Sequence, residues 1–359
     1  MNELRQSLKE KIISLAAVMS VSGFEKRSDG EIKERFGGNF DEIRADAVGN
    51  RMLIKRCGRE NAPMILVDTH FDEIGMMVTE ICDGGFLKFT NIGGISLAIL
   101  QAADVTVYGK EIIRGVITST PPHLRSGDSS KLSEIDELLI DTGYSKQTLE
   151  RIAPIGTPIG FSPVYSELLG ERIAGKSFDD KAPAAICAAA IIDTEREELA
   201  ADVCLMLSSF EETSRLGGIA PAAYSLDPDY AMVVDVNLAS VPDTPKSETV
   251  PMGEGISISV SAATDRALSL MTEQLCKKKE IAHTMIAAPS STGTNAPTVN
   301  LTRGGIPVVD VGLPLANMHT YNEVIDLSDC DSLYRLTREF ITDKDIAERF
   351  SRKGEELPL

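Results

Sequence analysis

The chain has 359 residues, a net charge of −18 at pH 7 and 43% hydrophobic residues. This apolar content is ample for a core, and the length is typical of one large domain with an insertion, or of two domains. The acidic charge argues against binding to nucleic acid, which requires Lys and Arg to neutralise phosphates, and it equally disfavours an anionic membrane surface.

The N-terminus and the cysteines predict a cytoplasmic protein. Residues 1–11 are charged throughout and lack the apolar segment of a secretory signal peptide. We find no stretch of about 18 apolar residues that would predict a membrane span. The six cysteines are scattered and form no CxxC pair, which is typical of reduced, mostly buried thiols.

The first elements alternate between helix and strand. Apolar residues at helical spacing between residues 4 and 16 predict an amphipathic first helix, and a second helix is predicted over residues 26–36. Extended segments follow, with Gly49–Asn50 as a turn between them, up to His70. This order predicts an α/β fold.

The sequence changes character between residues 74 and 166. Short β-rich runs alternate here with glycine and proline turns, and only residues 133–141 and 146–152 have a helical pattern. Many short strands with such turns predict a small barrel or sandwich.

After residue 169 the alternation of strands and helices resumes, and it closes with a helix predicted around residues 329–342. We therefore expect a discontinuous α/β domain of residues 1–73 and 167–359. A β-rich insert of residues 74–166 interrupts it.

Four segments that read as buried strands end at, or shortly before, a residue able to bind a metal ion. The segments are residues 64–70, 203–210, 230–235 and 306–311, and the candidates at or after their ends are His70, Glu211, Glu212, Asp235 and His319. Because the carboxyl ends of strands in an open α/β sheet share one crevice, these residues are candidates for a single site.

His70 and Asp72 form the first candidate pair. Residues i and i+2 of an extended chain project on the same side, so the Asp72 carboxylate can accept the second imidazole N–H of His70, as around zinc. Alone, such a pair more often fills a strand end, although the chain has only four histidines. Of the others, His123 and His283 suit a surface position, but the insert that carries His123 could fold back over the site.

Asp179 and Asp180 lie in a glycine-flanked turn directly before an apolar helix predicted over residues 182–192. An aspartate at a helix start is a common cap, and on local grounds capping is the simpler interpretation. Two adjacent carboxylates in such a turn are also suited to bridging two cations.

Glu211 and Glu212 are the strongest local signal. Two glutamates after an apolar strand repel each other in a crevice unless a cation compensates or one stays protonated. One glutamate that binds metal and one that accepts a proton from water would resolve this cost. Asp235 is a carboxylate within a run that reads as buried, where carboxylates are rare unless paired or bound to metal.

Together these residues make a set of histidine and carboxylate ligands without a thiolate. Such a set suits Zn, Co or Mn, and five ligands suit two cations that share one bridging carboxylate. Two metal ions lower the pKa of a water molecule and polarise a carbonyl, while a nearby Glu carries the proton. The predicted chemistry is amide hydrolysis.

Motifs along nearly the whole chain carry a family resemblance. They are VSGFE at 21–25, DAVGN at 46–50, HFDEIG at 70–75, GVI at 115–117, PPHL at 121–124, FDDK at 178–181, EE at 211–212, VDV at 234–236 and MHT at 318–320. In their shared order and spacing, these motifs resemble the cocatalytic metallo-aminopeptidases of metallopeptidase family forty-two, which include glutamyl, deblocking and tetrahedral aminopeptidases.

The resemblance implies two divalent metal ions per subunit, with Zn or Co expected. His70 and Asp235 would bind one ion, Glu212 and His319 the other, and Asp179 would bridge both. In this superfamily the peptide bond after the bridging aspartate is typically cis.

The resemblance also assigns two catalytic roles. Glu211 would be the general base, and Asp72 would orient His70. The implied activity is removal of N-terminal residues from short peptides. Alternatives are a carboxypeptidase or deacylase of the same superfamily, or a non-catalytic peptide-binding shell protein.

The implied fold is a mixed-sheet α/β/α metallopeptidase domain, phosphorylase/hydrolase-like, with an inserted β-barrel-like dimerisation domain. The implied assembly is a homo-oligomer of dimers, up to a tetrahedral dodecamer. The chain departs from the family at Lys181, where Arg is common, and at Asn295, where Asp is usual. It also lacks the Arg that usually precedes the last histidine. The last two departures lie where substrate would be recognised, so we transfer no substrate preference.

Overall fold

A mixed α/β sheet and a closed β-barrel make up the computed structural model, which describes residues 2–119, 134–215, 217–245, 248–289 and 291–352. The helices are α1 (Glu3–Ala16), α2 (Asp29–Phe36), α3 (Lys146–Ile152), α4 (Phe178–Asp193), α5 (Ile219–Leu226), α6 (Arg266–Lys278), α7 (Ala296–Asn300), α8 (Leu327–Thr342) and α9 (Lys344–Phe350). None of the helices in these ranges combines the length and apolar character needed to span a bilayer.

The strands fall into three groups, which are an eight-stranded sheet, a three-stranded sheet and a closed barrel. In chain order they are β1 (Glu42–Ala45), β2 (Arg51–Lys55), β3 (Met64–His70), β4 (Gly75–Ile81), β5 (Phe86–Ile92), β6 (Asp104–Tyr108), β7 (Ile112–Ile117), β8 (Ile140–Asp141), β9 (Pro158–Phe161), β10 (Ser166–Leu168), β11 (Arg172–Gly175), β12 (Asp202–Ser208), β13 (Tyr230–Leu238), β14 (Ile256–Ser261), β15 (His283–Ala288), β16 (Val308–Leu315) and β17 (Glu323–Asp326).

The large sheet has the order β1-β2-β12-β3-β13-β16-β14-β15. Its centre, β12-β3-β13-β16, is parallel throughout, while β2 and β14 run antiparallel to their central neighbours. These central strands are the four segments singled out in the sequence, and their carboxyl ends lie side by side. In the register, Ser208 pairs with His70, and Asp235 pairs with Gly312.

Alternating side chains of the central strands fill two cores on opposite faces of the sheet. Val67 on β3 faces the core that includes α1, α4 and α8, whereas the neighbouring Leu66 faces the core beneath α5 and α7. Alanine-rich α4 is almost entirely buried, because its small side chains let the sheet, α1 and α8 pack closely around it. The regular turns of α4 begin after Asp180, since Asp179 and Asp180 have non-helical dihedral angles.

The barrel closes in the order β4-β5-β8-β7-β6-β9, so of the two predicted forms of the insert the barrel is the one observed. Buried apolar side chains fill it, among them Met76, Phe89 and Val105. The three-stranded sheet β10-β11-β17 is antiparallel. The α/β fold with a mixed sheet and an inserted barrel is confirmed.

The helix predicted over residues 133–141 is wrong. Residue 133 lies outside the described part of the chain, Ile135–Glu137 form one 3-10 turn, and Ile140–Asp141 form β8. The helical spacing of the apolar residues is overridden by tertiary pairing, because β8 hydrogen-bonds to both β5 and β7 and closes the barrel. His123 also lies outside the described residues, whereas His283 is half-buried at the start of β15.

Candidate metal centre

The central strands bring the first half of the site together. His70 ends β3, and its Nε2 lies 2.9 Å from Oδ1 of Asp179, 3.8 Å from Oδ1 of Asp235 and 4.0 Å from Oε2 of Glu211. Asp235 lies within β13, and Glu211 opens a short π-helical turn after β12. All four side chains are largely buried.

The second half of the site lies next to Asp179. Nε2 of His319 is 3.3 Å from Oε2 of Glu212 and 3.6 Å from Oδ2 of Asp179. The two oxygens of the Asp179 carboxylate therefore face different histidines, Oδ1 towards His70 and Oδ2 towards His319. The side chain of His319 is 40% exposed, so this histidine marks the open side of the centre.

The donor atoms are close enough to hold metal ions. Ligand atoms of His70, Asp179 and Glu212 lie within 4.8 Å of one another, and so do those of His70, Asp180 and Asp235. The sequence offered Asp180 only as the second member of an adjacent carboxylate pair, without a role of its own. Its Oδ2 accepts the main-chain N–H of His70 at 3.0 Å, while its buried Oδ1 has no hydrogen-bond partner.

The buried carboxylates of the cluster repel one another, and bound cations would relieve this repulsion. Burial, reinforced by neighbouring carboxylates, raises the pKa values of Glu211, Glu212 and Asp235 above their usual range. The hydrogen bond to Glu212 raises the pKa of His319 to about 9, although burial opposes this. Buried carboxylates are costly unless paired or bound to metal. Divalent ions bound by histidine and carboxylate would relieve the repulsion between these carboxylates and would give the buried Oδ1 of Asp180 a partner.

Asp72 holds the turn that presents the two glutamates. Its carboxylate accepts the main-chain N–H groups of Glu211 and Glu212, each at 3.1 Å. Nδ1 of His70 lies 3.0 Å from the main-chain carbonyl of Asp72 and 3.7 Å from its carboxylate. Asp72 thus contacts His70, as the sequence suggested, and it also holds the glutamate turn, which the sequence alone did not suggest.

Unusual backbone conformations surround the ligands. The peptide bond between Asp179 and Asp180 is cis, as the family resemblance implied. Phe210 and His319 have positive φ angles of 63° and 60°, a region that non-glycine residues seldom occupy. Such residues are concentrated at functional sites, where the surrounding structure fixes them.

Further buried charged residues lie next to the metal centre. Glu323 accepts the main-chain N–H of Asp179 at 3.1 Å. Glu73 pairs with Lys176 and, at 3.2 Å, with Lys181. Sequence reasoning assigned no role to Glu323, Glu73 or Lys176, because the contacts between Glu323 and Asp179 and between Glu73 and Lys176 join residues that are distant in the chain.

The chain combines a mixed sheet with an inserted barrel, and its histidine–carboxylate centre lies at the carboxyl edge of the sheet. This arrangement is that of a metal-dependent hydrolase of the α/β class. The model of the M42 glutamyl aminopeptidase family matches residues 49–336. The chain belongs to this family and is therefore a metal-dependent aminopeptidase.

Individual relatives agree with this assignment. The chain is 30% identical to lysyl aminopeptidase of Pyrococcus furiosus over 309 residues, which cover 84% of this chain and 87% of the relative. It is 24% identical to glutamyl aminopeptidase of Lactococcus lactis subsp. cremoris, with 93% of this chain and 95% of the relative covered.

Solved structures of aminopeptidases share the whole fold. Aminopeptidase APDkam598 from Desulfurococcus kamchatkensis superposes with a TM-score of 0.88 at 28% identity, covering 99% of this chain and 100% of that chain. The TET1 peptidase of Pyrococcus horikoshii, which can assemble into a tetrahedron or a large octahedral shell, gives a TM-score of 0.81 at 27% identity. The match to TET1 covers 93% of this chain and 99% of that chain.

Proposed function

We propose that this protein removes N-terminal residues from short peptides, with two divalent metal ions per subunit and Glu211 as the general base. Zn or Co are the expected metals. The proposed ligands are His70, Asp179, Glu212, Asp235 and His319. The observation that carries the proposal is the placement of Asp179, whose two carboxylate oxygens face His70 and His319 at 2.9 and 3.6 Å.

When bound, the metal ions would supply Lewis acidity that activates a water molecule and polarises the scissile carbonyl. Glu211 is suited to carry the proton, because its carboxylate lies at the edge of the ligand cluster and its side chain is 12% exposed. Glu212, on the same turn, points instead towards His319. The adjacent glutamates thus divide between proton transfer and metal binding.

The acidic surroundings favour a substrate with a positively charged amine. Glu212 and Glu323 line a small cavity beside Asp179. Lys176 is the single cationic residue among the described residues that line this cavity, and its ammonium group is paired with Glu73. A carboxypeptidase would need a cation available for the substrate carboxylate, so this cavity favours an aminopeptidase.

The test compares Glu211→Gln with wild type on aminoacyl p-nitroanilides and on peptides blocked at either end. We expect Glu211→Gln to retain metal but to lose about 10²- to 10⁴-fold in kcat. Peptides blocked at the C-terminus should be cleaved, and those blocked at the N-terminus should resist. Glu197→Gln, an exposed glutamate, is the matched control. Unchanged turnover in Glu211→Gln would overturn the role of Glu211, and cleavage only of N-blocked peptides would overturn the aminopeptidase assignment.

The proposal extends to assembly. We place the catalytic domain at residues 1–73 and 167–359 and the dimerisation domain at residues 74–166. In support, Ile112 and Val116 are 73% and 44% exposed on the outer face of β7, where they flank the exposed Arg114, and such a pair of exposed apolar side chains is suited to contact with a second copy. Native mass spectrometry should show a dimer or a dodecamer, and Ile112→Asp should lower the mass. A monomeric wild type would contradict this.

The cytoplasm is the proposed compartment. All six cysteines are free, and five of them are buried, as expected for a protein in a reducing environment. Fractionation of expressing cells would check this, and recovery outside the cytoplasmic fraction would contradict it.

A further inference from the structure

The motif DAVGN at residues 46–50 connects β1 and β2, and the proposed mechanism assigns no task to it. Oδ1 of Asp46 accepts the main-chain N–H groups of the last three residues of the motif, at 2.9, 2.8 and 3.0 Å. Oδ2 of Asp46 accepts the side-chain amide of Asn50 at 2.6 Å. The connection is therefore fixed by its own hydrogen bonds, and it holds the side chain of Asn50, which is 0% exposed, in one position.

The Asn50 side chain contacts the main chain on both sides of the glutamate turn (Glu211–Arg215). Its Oδ1 accepts the N–H of Ser209 at 2.9 Å, and its Nδ2 donates to the carbonyl of Gly218 at 2.7 Å. Ser209 follows β12 directly, and Gly218 directly precedes α5. A single amide group thus bridges the main chain that enters the turn and the main chain that leaves it.

The main chain before the turn and the main chain after it also lie against each other. A Cβ atom on Gly218 would lie 1.7 Å from the carbonyl oxygen of Ser209, so only glycine permits this approach. The turn itself is held separately, because Asp72 accepts the N–H groups of its first two residues at 3.1 Å each. Asp72 therefore fixes the start of the turn, whereas Asn50 fixes its base.

The contacts of the Asn50 amide require this residue type. The Asp46 carboxylate and the Gly218 carbonyl accept hydrogen bonds, whereas the N–H of Ser209 donates one, so only one orientation of the amide satisfies all three. A carboxylate at position 50 could not donate to the two acceptors. An apolar side chain would leave the buried N–H of Ser209 and the buried carbonyl of Gly218 without a partner, which is costly.

We infer that Asn50 is a positioning residue, which closes the base of the glutamate turn and thereby fixes the direction of the Glu211 carboxylate. The inference rests on the proposed role of Glu211. Within the described part of the chain, the side chain of Asn50 bonds to Asp46, Ser209 and Gly218. Its effect on Glu211 therefore passes through the main chain.

The experiment measures kcat, KM, bound metal and melting temperature at pH 8 for Asn50→Ala and Asn50→Asp. Asp keeps the shape and the acceptor for Ser209 but loses the two donated hydrogen bonds, whereas Ala loses all three. In both variants kcat should fall about 10- to 100-fold at nearly constant KM and unchanged metal content, because small misplacements of catalytic groups have effects of this size. Asn300→Ala is the matched control, since this half-buried asparagine donates to the carbonyl of Ile306 in a different connection, between α7 and β16. Its kcat should match wild type.

An exchange of two side chains separates positioning of the turn from support of the DAVGN motif itself. In the double variant Asp46→Asn/Asn50→Asp, the amide at position 46 can donate to the carboxylate at position 50, so the contact between the two positions forms again. The donor to Gly218 stays lost. We expect a melting temperature above that of Asn50→Asp, but a kcat within about threefold of that variant. A return of kcat to the wild-type value would overturn the inference, because the motif would then act only through its own stability.

A comparison in the Glu211→Gln background separates this inference from the proposed function. If Asn50 acts through Glu211, adding Asn50→Asp to Glu211→Gln should change kcat by less than about threefold. Wild-type kcat in the folded Ala and Asp variants would overturn the inference, and so would a full further loss in the Glu211→Gln background. Full activity of Glu211→Gln alone would instead overturn the proposed general base.

Discussion

Replacing Glu73 by Gln should destabilise the protein by an amount that the structure defines. Glu73 is 2% exposed, and its carboxylate pairs with Lys176 and, at 3.2 Å, with Lys181. Both lysine side chains are buried as well, at 2% and 0% exposure. Burial alone would raise the pKa of Glu73, but the two ammonium groups lower it to about 2.

Glu73→Gln leaves buried ammonium groups without a counter-charge. Removing one partner of a buried ion pair costs about 3–5 kcal/mol. The entropy of unfolding is about 2 cal/mol/K per residue, or about 0.75 kcal/mol/K for a chain of 359 residues. The melting temperature should therefore fall by about 4–7 °C.

Scanning calorimetry at pH 6 tests this, because burial lowers the pKa of Lys181 to about 7 and its ammonium group is therefore charged at pH 6. The folded-state pKa of Glu73 is depressed, so its stabilising contribution is complete above the unfolded value of 4.5 and disappears as the pH falls towards 2. Glu80→Gln, which removes an exposed carboxylate paired with Lys88, is the control and should change little. A melting temperature for Glu73→Gln within 1 °C of wild type would refute the reasoning.

Three further predictions follow from buried groups, close contacts and metal dependence. Burial raises the pKa of Asp310 to about 6, so the contribution of this residue to the free energy of unfolding falls as the pH rises from 4 to 6. Asp310→Asn should therefore be more stable than wild type by up to about 3 kcal/mol at pH 8 but not at pH 4. A stability difference between the two proteins that is the same at both pH values in calorimetry would contradict this. A Cβ atom at Gly94 would lie 3.0 Å from Nδ1 of His319, so Gly94→Ala should displace this proposed ligand and lower the affinity for zinc in a metal titration. Gly30→Ala, which has open space around it, is the control and should leave the affinity unchanged. Equal zinc affinities of the two variants would contradict a close contact between residue 94 and His319. Chelation should abolish activity and lower the melting temperature, and added Zn or Co should restore both; activity that survives chelation would contradict metal dependence.

The sequence was sufficient for the parts of the fold that depend on local patterns. The four central strands were recognisable because each is a short apolar run, and the strand-end rule placed His70 and Asp235 at one edge. The barrel strand β8 was not recognisable, because two residues carry no periodic signal and their pairing with β5 and β7 comes from distant parts of the chain.

In the candidate metal centre, too, some residues could be proposed from the sequence and others depend on contacts between distant parts of the chain. His70, Glu212 and His319 could be proposed from residue type and family motif, and Asp179 only from the motif, since locally it reads as a helix cap. Asp180 could be proposed only as half of an adjacent carboxylate pair, and Glu323 could not be proposed at all. Their importance lies in hydrogen bonds to the main chain of His70 and Asp179, which no spacing in the sequence reveals.

The metal content of the purified, reconstituted protein tests the central claim most directly. Mass spectrometry of bound metal should give two zinc or cobalt ions per chain in wild type. His319→Ala should retain one, because His70 and Asp235 would still hold the other with Asp179. One ion or none in wild type, or two ions retained in His319→Ala, would contradict the two-metal centre proposed here.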